Sequence, residues 1–277
     1  MISGKTRLIA HIGYPTDTFK APLIYNPWFD AHGIDAIVVP MGVKAEDYPS
    51  TLRAVFNMTN IRGALITMPH KVTTLALADK VSTTAEIAGA ANALRKDPDG
   101  TLIADMFDGT GFTRGLARKG FRFSRAKCLV VGCGGVGSAI AASLAAEGVA
   151  ALVVFDTDAA AAQALADRLK LHYDKLDVRV GPAVVTGQDL AVNATPLGMK
   201  DGDPLPFDIE QLTSSTFVGE VVMKREITPL LAAAKARGCQ IQVGTDMLFE
   251  MIPAYLEFFG FGTATPEELR TIAKVAY

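Results

Sequence analysis

Apolar positions along the chain fall into short continuous runs separated by longer stretches of helical period. Near the start, Leu8, Ile9, Ala10, His11 and Ile12 read as a strand that stops at Gly13, 36–40 as a second, and 64–67 as a third closed by Pro69. Helical patterns lie between them, for example over 52–56, and such alternation predicts a mostly parallel sheet. Asp97-Pro98-Asp99-Gly100 is a turn signal, so 92–94 and 102–104 are expected to pair as a hairpin. The pattern is helical again from 111 to 119.

A second alternating block follows. Lys127-Cys128-Leu129-Val130-Val131 is the kind of β-rich run that a strand covered on both faces requires. Strands are expected at 151–155, 190–193, 217–222 and 241–243. Helices are expected at 159–170, where alanine gives good propensity, at 228–237, stopped by Gly238, and at 247–259. No repeat of fixed period is evident. The pattern as a whole predicts an α/β chain.

Composition adds limits. A chain of 277 residues, 49% hydrophobic and 20% charged, has room for two medium domains or one large one. Its net charge of -2, with no basic run, argues against nucleic acid as a partner. Cys128, Cys133 and Cys239 make neither a disulfide framework nor a zinc set, and are expected to be buried small hydrophobes. The uncharged run 128–146 is long enough to raise the question of a membrane span. Its glycines fall in a turn pattern and its end is alanine-rich, so a strand, a turn and a buried helix fit better. No membrane association and a cytoplasmic location are expected.

The run 132–137 satisfies G-x-G-x-x-G in the context that makes this motif informative. It follows an apolar strand, opens a helix, and is followed by a second strand ending at Asp156. Gly132 permits the tight turn, Gly134 lets the backbone approach a pyrophosphate, and Gly137 lets the helix pack on the strand. The helix N-terminus offers free N–H groups to phosphate. The carboxylate of Asp156 suits ribose hydroxyls and repels a 2′-phosphate, and Thr157 and Asp158 add no cation, so NAD is expected rather than NADP.

With these motifs in place, the chain resembles the shikimate/quinate dehydrogenase family over nearly its whole length. The likeness rests on Ile12-Gly13-Tyr14-Pro15, Thr67-Met68-Pro69-His70-Lys71, Gly89-Ala90-Ala91-Asn92, Asp108-Gly109-Thr110-Gly111-Phe112, Asn193-Ala194-Thr195-Pro196-Leu197-Gly198-Met199 and Thr228-Pro229-Leu230, in this order. The resemblance implies an α/β substrate domain over 1–107 and 246–277 and a Rossmann dinucleotide-binding domain over 108–245. It implies Lys71 and Asp108 as the catalytic pair and Asn92 and Thr67 as substrate contacts. For the cofactor it implies Gly132, Gly134, Gly135, Val136, Gly137, Asp156, Thr157, Asn193, Thr195, Pro196, Met199, Val221, Gly244 and Met247. It implies a small cyclic alcohol or ketone as partner, and a monomer or homodimer.

Lys71 also stands out physically. It follows Pro69 where a helix is expected to begin, and a cation there opposes the helix dipole, an odd choice for structure alone. A lysine can serve as a general base when its surroundings lower its pKa. His70 shares the motif but is assigned no proton transfer. His11, His32 and His172 are read as packed or surface histidines.

The departures from the family pattern gather on the substrate side. Phe19 and Ala21 stand where the family carries two serines that hold a carboxylate, with Thr16 and Thr18 nearby as substitutes. Met106-Phe107 replaces Asn-Thr, Glu220 and Met223 fall on a later Asp and Tyr, and Met251 falls on a glutamine. If each lost hydrogen bond is worth about 1 kcal/mol, shikimate should bind weaker by several kcal/mol and turn over poorly. Two other functions compete: a catalytically weak NAD-binding sensor, and a methylenetetrahydrofolate-type dehydrogenase, which shares the two-domain layout and a catalytic lysine.

Overall fold

The computed structural model describes residues 2–17 and 19–274. They divide into two compact units, Met1–Phe107 with Ile252–Tyr277, and Asp108–Met251.

Unit 1 begins with β1 (Arg7–Gly13), α1 (Pro22–Ala31), β2 (Ala36–Gly42), α2 (Tyr48–Phe56), β3 (Ile61–Ile66), α3 (Lys71–Leu75), β4 (Lys80–Val81), α4 (Thr83–Ala88), β5 (Ala93–Lys96) and β6 (Leu102–Asp105). Its sheet runs β2-β1-β3-β5-β6-β4. β1 lies parallel to β2 and β3, while β5 is antiparallel to both β3 and β6. The expected hairpin is present, with Leu94 opposite Ala104, and Gly100 at φ +92 in its turn.

Helix α1 is not legible in the pattern, because it contains Pro22 and Pro27. Pro22 sits in the first turn, where its missing N–H costs nothing. Pro27 cannot donate to Leu23, whose carbonyl instead accepts from Lys274 N at 2.9 Å. A residue almost the whole chain away thus repairs the helix. Ile24, Tyr25, Trp28 and Phe29 then form its buried face.

Unit 2 contains α5 (Asp108–Arg118), β7 (Lys127–Val131), α6 (Gly135–Ala146), β8 (Ala151–Phe155), α7 (Ala159–His172), β9 (Asp177–Val180), β10 (Leu190–Asn193), β11 (Phe217–Glu220), α8 (Pro229–Ala236), β12 (Gln240–Gln242) and α9 (Gly244–Phe259). Its six strands are all parallel, ordered β12-β11-β10-β7-β8-β9. In chain order that is 3-2-1-4-5-6 from the other edge, the doubly wound arrangement that binds dinucleotides where the order reverses. The run 128–146 is a strand, a turn and a helix, and α6 is buried from Gly137 to Ala145. No helix among the described residues is long and apolar enough to cross a membrane. The three cysteines are free and buried.

The strand expected over 217–222 ends at Glu220, and the one expected over 241–243 runs from Gln240 to Gln242. Strand β9 was not anticipated, since only Val178 of its four residues is buried. Helix α9 is continuous across the boundary between the units, and α10 (Pro266–Ile272) belongs to unit 1. The sequence reading returns the chain to unit 1 at residue 246, whereas the division falls at Ile252. The first turns of α9 pack on α5: a Cβ on Gly111 would lie 2.5 Å from Met247 O and 2.6 Å from Met251 Cβ.

Candidate functional site

In unit 2 the Gly-rich turn leaves the end of β7 and enters α6. Gly132 has φ +101, and a Cβ there would meet Ala194 O at 2.9 Å. A Cβ on Gly137 would stand 1.9 Å from Gly132 O, so only glycine lets α6 start this close to the strand. Gly134, the N-cap of α6, is different: nothing lies within 4 Å of where its Cβ would be, and no side chain caps the helix. The N–H groups of Gly135, Val136 and Gly137 therefore begin a helix that no side chain caps, a start that suits a bound phosphate.

Asp156, just past β8, fastens this turn. One carboxylate oxygen accepts from Cys133 N at 2.7 Å, the other from Asp158 N at 2.9 Å and Thr157 Oγ1 at 3.3 Å. Burial raises its pKa, but these donors outweigh burial and hold it below the usual carboxylate value. It is thus a fixed anion at neutral pH. Arg168 on α7, which sequence reasoning passed over, is half-buried and close enough to lower the pKa of the Cys133 thiol. Burial, reinforced by the Asp156 charge, nonetheless pushes that thiol up to about 12.

The neighbouring strand ends complete this half. Asn193 closes β10, with Val131 of β7 on one side and Glu220 of β11 on the other. Its amide donates to Leu197 O at 3.0 Å and its Oδ1 accepts from Thr195 N and Oγ1, which shapes the Thr195-Pro196 turn. Met199 N donates to Pro196 O, and the Met199 side chain is 42% exposed. Val221 N donates to Asn193 O, and a Cβ on Gly244 would meet Val222 O at 2.2 Å. Met247 is buried; Met223 and Met251 are half-buried.

Glu220 is fully buried, with Oε2 accepting from Thr228 Oγ1 at 2.9 Å and Oε1 unpartnered. Burial pushes its carboxyl up to about 7, against the opposing pull of hydrogen bonds from Thr228 and Asn193. Asp108, also of unit 2, is 4% exposed and opens α5, where a carboxylate suits the helix dipole.

In unit 1 the expected substrate residues converge on the ends of β1 and β3 and the start of β5. Thr67 N donates to Ile12 O, Tyr14 N to Met68 O, and Ile66 N to Asn92 O. Lys71 is the first residue of α3, and its carbonyl accepts from Ala91 N at 2.9 Å, which places it beside Asn92 along the chain's fold. The delivery of Asn92 begins upstream. Ser82 caps α4, Gly89 ends it in the left-handed region at φ +65, and the chain then turns into β5. Asn92 is 1% exposed, and its Oδ1 accepts from Phe107 N at 2.9 Å while its carbonyl accepts from Tyr255 Oη.

His70 is 1% exposed, bonded to Val43 O and stacked on Tyr48 at 3.9 Å, so it orders the Pro-His-Lys turn. Phe19 is half-buried with its ring on His11, and Ala21 is the N-cap of α1 with no side-chain acceptor. Thr18 lies outside the described residues. Met106 and Phe107 are core: Phe107 packs edge-on against Tyr255 and Phe258.

Known proteins agree with this arrangement. A family described as shikimate dehydrogenase substrate binding domain matches residues 11–94, and the ThiF family matches residues 118–167. A shikimate dehydrogenase (NADP(+)) of Acidiphilium cryptum is 34% identical over 261 residues, 94% of this chain and 93% of that protein. The shikimate 5-dehydrogenase of Listeria monocytogenes, solved with shikimate and NAD, aligns with TM-score 0.91 at 27% identity over 98% of this chain and 97% of that one. The quinate dehydrogenase of Corynebacterium glutamicum, solved with NAD, aligns with TM-score 0.85 at 30% identity over 96% and 98%. On its motifs, its doubly wound second unit and these matches, the chain belongs to the shikimate dehydrogenase family.

Proposed function

We propose that the chain is an NAD-dependent dehydrogenase that oxidises a ring CH–OH of a shikimate- or quinate-like cyclic alcohol, or reduces the corresponding ketone. The observation that carries this reading is the uncapped start of α6 behind a glycine turn whose Cys133 amide is fastened to the ionised Asp156. Glycine at 132 and 137 and the open space at Gly134 fit a dinucleotide pyrophosphate. Asp156 would hold the adenosine ribose hydroxyls. NAD, when bound, would supply the hydride acceptor for the carbinol carbon.

The chain's own residues then handle binding and the proton. The Lys71 Nζ takes the proton of the substrate hydroxyl as the carbonyl forms, and returns it in the reverse direction. Asp108, which the family resemblance pairs with Lys71, is assigned to orienting the substrate hydroxyl. Asn92, anchored by Phe107 N, is the side chain assigned to a ring hydroxyl. Thr67 contributes a second hydroxyl contact at the end of β3. The substrate domain is unit 1 and the cofactor domain is unit 2.

A second reading, use of NADP, is favoured by Arg168, a cation near Cys133, and by the name of the Acidiphilium relative. Initial rates with shikimate and quinate, each with NAD and with NADP, test both readings, with Lys71→Ala as the control. NAD-dependent turnover lost in the variant supports the first. A higher kcat/KM with NADP replaces it with the second. NAD binding without turnover of any cyclic alcohol would make the chain a sensor.

A further inference from the structure

One polar group of unit 1 has no role in this account. His11 lies on β1, two residues before Gly13, so both residues face the same side of the sheet. Leu65 stands opposite His11 and Ile66 opposite Ile12, which puts Thr67 beside Gly13 at the strand end. A Cβ on Gly13 would lie 2.4 Å from Thr67 Cγ2 and 2.8 Å from Phe19 Cζ. The Phe19 ring therefore covers this end of β1, and it stacks on the His11 imidazole with centroids 4.0 Å apart and planes 25° from parallel. His11, Phe19 and Thr67 form one cluster with Gly13 as its floor.

His11 is 8% exposed, and its Nδ1 is fully buried without a hydrogen-bond partner. Buried polar atoms are nearly always paired, so an unpaired one at a ligand site asks what completes it. An orphaned buried N–H is rarer than an under-satisfied acceptor, which puts the bare lone pair on Nδ1 and the ring proton on Nε2. The exposure that the ring retains is then on the side of the N–H. Burial pushes the imidazole down to about 4, so this donor is uncharged at neutral pH. The adjacent Phe19 and Ala21 carry neither a hydroxyl nor a charge, and Ala21 caps α1 without any side-chain bond. A carboxylate brought here would lose water and gain no counter-charge from this cluster.

We propose that His11 is a specificity-determining contact: its neutral N–H, held in orientation by the Phe19 ring, donates to the oxygen of an uncharged substituent that a polyhydroxy ring carries in place of a carboxylate. The inference rests on the reading of the chain as a cyclic-alcohol dehydrogenase and names the substrate class of that site. The stacking fixes the ring plane and the strand fixes its depth, so the contact discriminates by direction as well as by charge.

The test compares shikimate with its primary carboxamide, which keeps the ring hydroxyls and removes the charge, in the presence of saturating NAD. The wild type is expected to show at least tenfold higher kcat/KM for the carboxamide. His11→Phe, which keeps a stacking ring but no donor, is expected to lose that preference at least tenfold without change in the KM for NAD. His11→Gln, with an N–H at similar reach, is expected to recover part of it. A preference for shikimate, or an unchanged ratio in His11→Phe, overturns the proposal. If neither compound is turned over, the dehydrogenase reading fails separately, and saturation-transfer NMR on the NAD-loaded protein decides for His11. Carboxamide binding that His11→Phe abolishes supports the contact; equal binding, or none in the wild type, overturns it.

Discussion

The two units treat their expected ligands in opposite ways. Unit 2 relies on backbone: a glycine turn at φ +101, an uncapped helix start, and parallel strands in register with Asn193 between Val131 and Glu220. Unit 1 relies on side chains: Lys71 and Asn92 within the family's pattern, but Phe19 and Ala21 where serines are expected. Backbone geometry recognises what every dinucleotide shares, so it persists while substrates change. Side chains read the particular substrate, so they are where a family member diverges. On the proposed reading, the dinucleotide unit carries the family's identity and the other unit carries this chain's own.

The sharpest way to break this comparison is Lys71→Ala. With Lys71 as the proposed proton-transfer group, its loss should lower kcat by roughly 10²–10⁴-fold, while NAD titration stays as in the wild type because unit 2 is untouched. Weakened NAD binding instead would show that the halves are not separable. Gly137→Ala attacks the other side. Its methyl would stand 1.9 Å from Gly132 O, and overpacking of about 1–3 kcal/mol is expected to displace the turn. Calorimetric NAD affinity should fall on the order of tenfold or more, with a lower melting temperature.

Restoring hydroxyls tests the substrate half by gain. Phe19→Ser with Ala21→Ser should raise kcat/KM for shikimate by about fivefold per recovered bond, at ~1 kcal/mol each. No gain would mean that other positions set the preference. Asp156→Ser removes the fixed anion, and the NADP-to-NAD ratio of kcat/KM should rise about tenfold, equivalent to ~1.4 kcal/mol. An unchanged ratio would assign cofactor choice to Arg168 or elsewhere.

The smallest effect concerns Glu220, whose carboxyl sits near 7 in the folded protein and has an ordinary value near 4.5 when exposed. Between these values the folded state binds the proton and the unfolded state does not. Stability is thus complete below about pH 4.5 for this group and falls as pH rises through 7. Glu220→Gln is expected to flatten the decline of melting temperature between pH 5 and 8, a shift of a few degrees. A decline as steep as in the wild type would place the titration elsewhere.

Much of unit 2 could be read in advance because each of its signals is local. The strand 127–131, the glycine turn and the strand ending before Asp156 follow one another within a single βαβ unit, so their physics is written in contiguous residues. Helix α1 could not be read, since its Pro27 argues against a helix until Lys274 supplies the missing donor to Leu23. Strand β9 escaped because an exposed edge needs little apolar sequence. His70 stood in a matched motif, yet its burial there against Val43 and Tyr48 depends on residues from other elements.

The sequence by itself determined the alternation of strands and helices in the second unit, the glycine turn after β7, the acid at the end of β8 and the positions that depart from the family pattern. These depend on periodicity, on glycine's access to positive φ and on charge, all of which act over a few residues. Only the tertiary structure decided that Asp156 grips the Cys133 amide, that Glu220 is a buried carboxyl near 7, and that His11 stacks under Phe19 with a bare nitrogen. Burial and hydrogen bonding of a side chain are set by residues that converge from distant parts of the chain, and no local pattern specifies which partners those will be.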